Sequence, residues 1–199
     1  MQFIWETTNG PFRYPEDLGE LWTILFYYGG DFTPVAATEL LGLSALSEDF
    51  FRHGSRLLAI SPDSKAVHLA FLDSLARYRS TTPINFPLAT DRQQDLSRAL
   101  SLESDKKYIW ILDPAGQVQA HFSYPLDTGV NFTEILRTLL ALQQTKPTPH
   151  GWVPGAHALL PPPTTRESQI THINETESAG NYCIDWYLCY EGEAPDFSY

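Results

Sequence analysis

Eight consecutive and largely apolar residues, Leu21 to Tyr28 (LWTILFYY), run into Gly29-Gly30-Asp31 and then Thr33-Pro34. An apolar run without alternation suits a strand that is buried on both faces of a sheet. Thr33 reads as a helix N-cap and Pro34 as the first helical position, where its missing N–H costs nothing. The helix should continue through Glu39, Leu40 and Leu43. A buried strand feeding a helix through a short turn commits the chain to an α/β architecture with helices layered on a sheet.

The remaining pattern extends this beginning. Arg56 to Ser61 (RLLAIS) is a second strand closed by Pro62-Asp63. Ser64 caps a second helix with Val67, Phe71, Leu75 and Tyr78 at helical spacing. Asp91 to Leu100 is a short polar segment of helical character. Tyr108 to Leu112 (YIWIL) is another buried strand, and Asp113-Pro114-Ala115-Gly116 is a turn that joins it to Gln117–Tyr124 as a hairpin. Asn131 to Gln144 is strongly amphipathic through Phe132, Ile135, Leu136, Leu139 and Leu140. Strand–helix alternation followed by a hairpin and a last helix is the order a thioredoxin-like α/β fold requires: a central mixed sheet flanked by helices. After Lys146 the chain turns proline-rich, which predicts a domain over 1–145 and a C-terminal arm or small subdomain over 146–199.

Charge narrows the partners. The 24 acidic residues outweigh 13 basic ones, for a net charge of -11. Lys106-Lys107 is too short a basic patch to exchange counterions with a phosphate backbone, so nucleic acid is excluded, and anionic membrane surfaces are disfavoured likewise. The opening Met-Gln-Phe-Ile-Trp-Glu has neither the basic nor the apolar region of a signal peptide, so the expectation is a soluble cytoplasmic protein. Asn131-Phe-Thr and Asn174-Glu-Thr fit the glycosylation pattern but need a secretory context. The histidines (His53, His68, His121, His150, His157, His172) form no metal-ligand spacing, and no cofactor motif occurs; no metal and no cofactor are expected. His68, on a helix, should face solvent or make a structural hydrogen bond. Gly29-Gly30 between strand and helix allows an anion site built from the N–H groups of Val35 and Ala36 with Lys107, although turn flexibility is the commoner use.

The segment Asp31-Phe-Thr-Pro-Val-Ala-Ala-Thr-Glu-Leu40 resembles the D-F-T-P-V-C-T-T-E-L signature of the peroxiredoxins, the alkyl hydroperoxide reductase C and thiol-specific antioxidant superfamily. Its one-cysteine-like group with a C-terminal extension is the nearest resemblance. His68-Leu-Ala-Phe71, Tyr124-Pro-Leu-Asp-Thr-Gly129, Asn131-Phe-Thr-Glu-Ile-Leu-Arg137, Trp152 before Pro154-Gly155, and the tail Cys183-Ile-Asp-Trp-Tyr-Leu-Cys189 all fall in the family's order. The resemblance implies a thiol-dependent antioxidant peroxidase. Its thiolate is activated by a helix N-terminus, its Thr binds the peroxide, a Pro shields the site and Arg guanidiniums hold the developing charge.

The working set departs from that plan. Thr33 and Glu39 are kept, but Ala36 stands at the cysteine position and Gly29 at the proline's. Lys107 and Val130 stand where the family has arginines. A single Cys-to-Ala change would account for Ala36 but not for the other three. The resemblance therefore implies a peroxidase-inactive homologue with a binding, regulatory or structural role. The alternatives are a dithiol redox protein using Cys183 and Cys189, or a small-ligand binder at the vacated Ala36 pocket. The two cysteines could be inert relics packed near Trp186, Tyr187 and Tyr190, an internal disulfide, or resolving thiols for an active peroxiredoxin in a hetero-assembly. The aromatic tail, with Tyr182, Phe197 and Tyr199 besides, suits an interface core. The resemblance further implies a homodimer, or a larger ring, with embracing C-terminal arms.

Overall fold

A computed structural model describes residues 2–77 and 83–194. Tyr78, Phe197 and Tyr199 lie outside the described residues. Residues up to Thr133 form one compact unit and those from Glu134 a second.

The apolar run becomes β3 (Trp22–Tyr27), buried from Thr23 onwards. It lies between β4 (Ser55–Ser61), parallel to it, and β6 (Lys106–Leu112), antiparallel. β4 pairs in parallel with the short β5 (Leu88–Thr90), and β6 with β7 (Val118–Pro125) through the predicted turn, where Gly116 sits at φ +75°. The N-terminus adds a hairpin, β1 (Phe3–Thr7) and β2 (Gly10–Tyr14), giving the mixed order β2-β1-β5-β4-β3-β6-β7.

Alternation along the strands sorts the two faces of this sheet. Ile24, Phe26, Tyr28, Ile109 and Ile111 point to one face, where Phe132 meets Phe26 edge-on at 5.3 Å. Lys107 shares that face by register. Leu25, Tyr27, Leu58, Ile60, Ala89 and Leu112 form the core of the other, with Trp5 of the hairpin and Leu96 of α4 (Asp95–Ala99).

Helix α1 (Pro34–Ala45) is followed by α2 (Ser47–Arg52), and α3 (Lys65–Leu75) follows β4. The predicted caps are in place: Thr33 Oγ1 accepts from Ala36 N–H at 3.3 Å and Ser64 Oγ from Val67 N–H at 3.4 Å. α5 (Phe132–Leu142) buries Phe132, Ile135, Leu139 and Leu140 of the stripe expected of it, with Leu136 half-buried.

The second unit takes most of α5, then α6 (Arg166–Ser178) and a small hairpin, β8 (Tyr182–Asp185) with β9 (Leu188–Tyr190). Lys146 pairs with Glu191 at 2.7 Å, and Leu159 bridges to Tyr190, so the proline-rich stretch is tied to the hairpin. No helix among the described residues is long and apolar enough to cross a membrane.

Candidate functional site

Where β3 ends, the chain must turn sharply, and Gly30 at φ +148° permits it. Asp31 then enters a buried polar cluster. Its N–H donates to Asp63 Oδ2 at 2.7 Å, Tyr28 Oη–H donates to its Oδ1 at 2.6 Å, and His68 Nδ1 lies 2.7 Å from its Oδ2. His68 Nε2–H donates to the Ala89 carbonyl at 3.1 Å, because a carbonyl can only accept. The Asp31 and His68 side chains are both fully buried. Burial first, and the Asp31 carboxylate second, push the Tyr28 phenol far above its ordinary range, so it stays protonated and keeps its proton to donate to Asp31. His68 thus makes the structural hydrogen bond, and the solvent-facing alternative is excluded. The cluster locks the turn to α3 and β5 and so fixes where α1 begins.

Ala36 occupies the first turn of α1 and is 4% exposed. One turn on, the Glu39 carboxylate is buried and accepts from two donors. Its Oε1 takes Val130 N–H at 2.9 Å and forms an ion pair with Lys107 Nζ. Lys107 is 1% exposed, and its Nζ also donates to the Leu126 carbonyl at 3.3 Å. Burial pushes the Glu39 carboxyl above the usual carboxylate range, against the opposing pull of Lys107 and the Val130 N–H. A Cβ placed on Gly29 would lie 2.6 Å from Leu126 Cδ2. The Leu126 side chain therefore fills the space beside Gly29.

Of the residues singled out from sequence, Glu39, Lys107 and Val130 come together directly, and Gly29 meets them through Leu126. The anion site envisaged at Gly29-Gly30 is not assembled. The Ala36 N–H is directed at its own cap, Thr33 Oγ1, and the Lys107 charge is paired inside the protein. Thr33 serves as a helix cap and is exposed. Leu126 belongs to the Tyr124–Gly129 motif, but as an aliphatic residue with no chemistry of its own it was not singled out from sequence. Nor did the sequence reveal Asp63 and Asp31 as partners; the Ser61-Pro62-Asp63 strand end was the only pointer. No cluster of His, Cys, Asp and Glu suited to a metal occurs among the described residues.

Cys183 and Cys189 are directly opposite on β8 and β9 and form a disulfide, with Cα atoms 4.1 Å apart. Of the three readings of these cysteines, free relic thiols are thereby replaced by the internal bridge. Both are buried in the second unit, as is Tyr190, while Tyr187 is exposed and stands edge-on to Trp186 at 5.5 Å.

Comparison with known proteins agrees with this geometry. Residues 6–121 match the AhpC/TSA family, and residues 144–176 match the C-terminal domain of 1-Cys peroxiredoxin. A peroxiredoxin of Methanosarcina mazei is 31% identical over 199 residues, covering 92% of this chain and 90% of the relative. The structure of a cysteine-to-serine mutant of peroxiredoxin 6 from Arenicola marina aligns with a TM-score of 0.81 at 27% identity, over 98% of this chain and 96% of that one. A yeast mitochondrial 1-Cys peroxiredoxin shares the fold with a TM-score of 0.83 at 23% identity, over 97% and 96%. By sequence, by its thioredoxin-like sheet and by its C-terminal extension, this chain belongs to the peroxiredoxin superfamily.

Proposed function

We propose that this protein is a peroxiredoxin whose peroxide-reducing site has been closed, and that it serves a binding, regulatory or structural role. The observation that carries the reading is the content of the site. Position 36 is a buried alanine, and the one inherited cation, Lys107, is spent on Glu39. Alanine has no nucleophile, no acid and no redox state, and a paired ammonium cannot hold the charge that develops as an O–O bond breaks. Fold and chemistry are separable, so the retained framework does not argue for retained turnover. The protein should consume no hydrogen peroxide or alkyl hydroperoxide above a buffer control, whether thioredoxin, glutathione or dithiothreitol is the reductant. Turnover clearly above that control refutes the reading.

In this reading the protein is a cytoplasmic homodimer, or a larger ring, divided into a thioredoxin-like domain over 1–145 and a C-terminal dimerisation arm over 146–199. Sedimentation of the intact chain tests the assembly. The vacated pocket gains little support as a ligand site, since the buried Lys107–Glu39 pair leaves it no accessible cation.

The bridge favours a second reading, in which Cys183 and Cys189 cycle as a dithiol and resolve a sulfenic acid on an active peroxiredoxin. The thiolate of one cysteine would attack the partner's S–OH, forming a mixed disulfide and water. The other cysteine would then displace the partner's thiolate, closing the internal bridge. Alkylation mass spectrometry decides it: the pair must be reduced by thioredoxin and reoxidised by the sulfenic form of an active peroxiredoxin. A bridge that stays closed throughout removes this reading.

A further inference from the structure

The sheet face opposite Ala36 and Lys107 holds a slot of about 480 Å³ that the peroxide-site reading does not use. Its origin is the path of the N-terminal hairpin. β1 joins β5 through a single residue pair, Thr7 with Ala89, so the hairpin leaves the sheet and folds back over it. Tyr14 Oη–H, at the end of β2, donates to the Gly116 carbonyl in the turn after β6 at 3.2 Å. Phe3, Trp5 and Tyr14 thereby cover a floor of Leu25 and Trp110, and Leu100 at the end of α4 helps to bound the space.

Three properties of the slot define an occupant. It is aromatic on both sides: Phe3 stacks on Trp5 at 5.2 Å with planes 9° apart, and Trp110 stacks on Tyr108 at 5.6 Å and 15°. Flat rings of this kind gain most from offset stacking against another flat ring. It is uncharged, since no Lys, Arg, Asp or Glu is among the described lining residues, so an ion would lose its hydration without recompense. It is also small. One turn of a helix about 10 Å across and 5.4 Å long fills roughly 420 Å³, so the slot has room for no more than a single turn of polypeptide, whereas one small molecule fits the usual range of ligand sites. The same wall supplies a donor. The indole N–H of Trp5 is buried and has no acceptor among the described residues. Trp5 is itself one of the residues that line the slot.

We propose that this slot binds a neutral, planar, fused-ring molecule bearing a carbonyl oxygen, with its rings held between the hairpin aromatics and Trp110 and its oxygen accepting from Trp5. The site is independent of the Ala36 pocket, from which the sheet separates it.

The test titrates the intact protein, by calorimetry, with menadione and with 2-methylnaphthalene, which has the same rings and no oxygen. Menadione should bind one-to-one with a Kd of roughly tens of micromolar, and about fivefold or more tighter than 2-methylnaphthalene. Trp5→Phe should abolish that preference, bringing the two ligands to within about twofold of each other while weakening both through the lost indole face. Val118, which is 54% exposed and lines the slot, allows a probe of the mouth without disturbing the core. Val118→Trp should weaken both ligands by about tenfold or more at an unchanged thermal midpoint. Absence of saturable binding below about 1 mM, or binding that Val118→Trp leaves intact, overturns the site. Equal affinity for the two probes overturns the carbonyl assignment. If Val118→Trp instead dissociates a dimer, and menadione does the same, the slot seats a second copy of the chain and the proposal fails.

Discussion

Replacing Lys107 by methionine keeps the length of the side chain and removes its charge. The Glu39 carboxylate would then be a buried anion with a single remaining donor, the Val130 N–H at 2.9 Å. Removing one partner of a buried ion pair costs about 3–5 kcal/mol, which is a large part of the roughly 5–15 kcal/mol that holds a typical domain together. The loss has a characteristic pH dependence. Glu39 already has its folded-state pKa raised by burial, and Lys107 is the chief influence pulling it down. Without Lys107 the folded pKa rises further. A carboxyl whose folded pKa exceeds its unfolded value favours folding below the unfolded value, about 4.3, and loses that contribution as pH rises through the folded pKa. The deficit of Lys107→Met should therefore be greatest near neutral pH and shrink towards pH 4. Adding Glu39→Gln, which can still accept from Val130, should recover most of it, leaving about 1–2 kcal/mol. Urea unfolding followed by circular dichroism measures all three proteins across pH 4 to 8. A Lys107→Met penalty below about 1 kcal/mol at pH 7, or one independent of pH, refutes the account of this pair.

Three further outcomes follow from the same geometry. Ala36→Cys alone should not restore peroxide consumption, because Val130 still offers no guanidinium and Lys107 stays paired with Glu39; stopped-flow peroxide assays with dithiothreitol check this. Gly29→Ala should cost less than about 1 kcal/mol, because the atom its Cβ would meet at 2.6 Å is the tip of the exposed Leu126 side chain, which can change rotamer, and pairing it with Leu126→Ala should cost less than the two single changes summed. Asp113 has its carboxyl held below the ordinary range chiefly by the Gln117 N–H, with Gln119 and the Ala115 N–H helping, so its contribution is present above about pH 3.9 and is lost as pH falls. Thermal melts between pH 2 and 5 should show a shallower acid slope for Asp113→Asn.

The parts of this structure legible in the sequence are those specified locally. LWTILFYY, the Thr33-Pro34 start and the stripe of α5 each carry their own periodicity or cap, and each formed within a residue or two of the expected limits. The N-terminal hairpin was missed although Asn9-Gly10 marks its turn, with Gly10 at φ +110°. Ile4, 77% exposed between Phe3 and Trp5, hides the alternation that would have disclosed β1. α6 (RESQITHINETES) has no apolar stripe to reveal it, only the Thr165 cap. At the site, the signature around Ala36 was readable because its residues are contiguous. The Glu39–Lys107 pair spans 68 positions, and only folding brings its members together. Leu126 is further removed still, since its effect is a matter of volume and not of chemical type.

The Leu126 side chain against Gly29 also bears on ancestry. A lineage that lost the cysteine alone could regain it by one codon change and resume its former trade. On the proposed reading, more than the cysteine would have to return. A Cβ at position 29 would meet Leu126 Cδ2 at 2.6 Å, so this exposed side chain would have to swing aside before a proline could stand there. The guanidiniums would have to be regained as well, and Lys107 is committed to Glu39. No single change restores the whole set, and on that reading the loss of the old activity is hard to reverse.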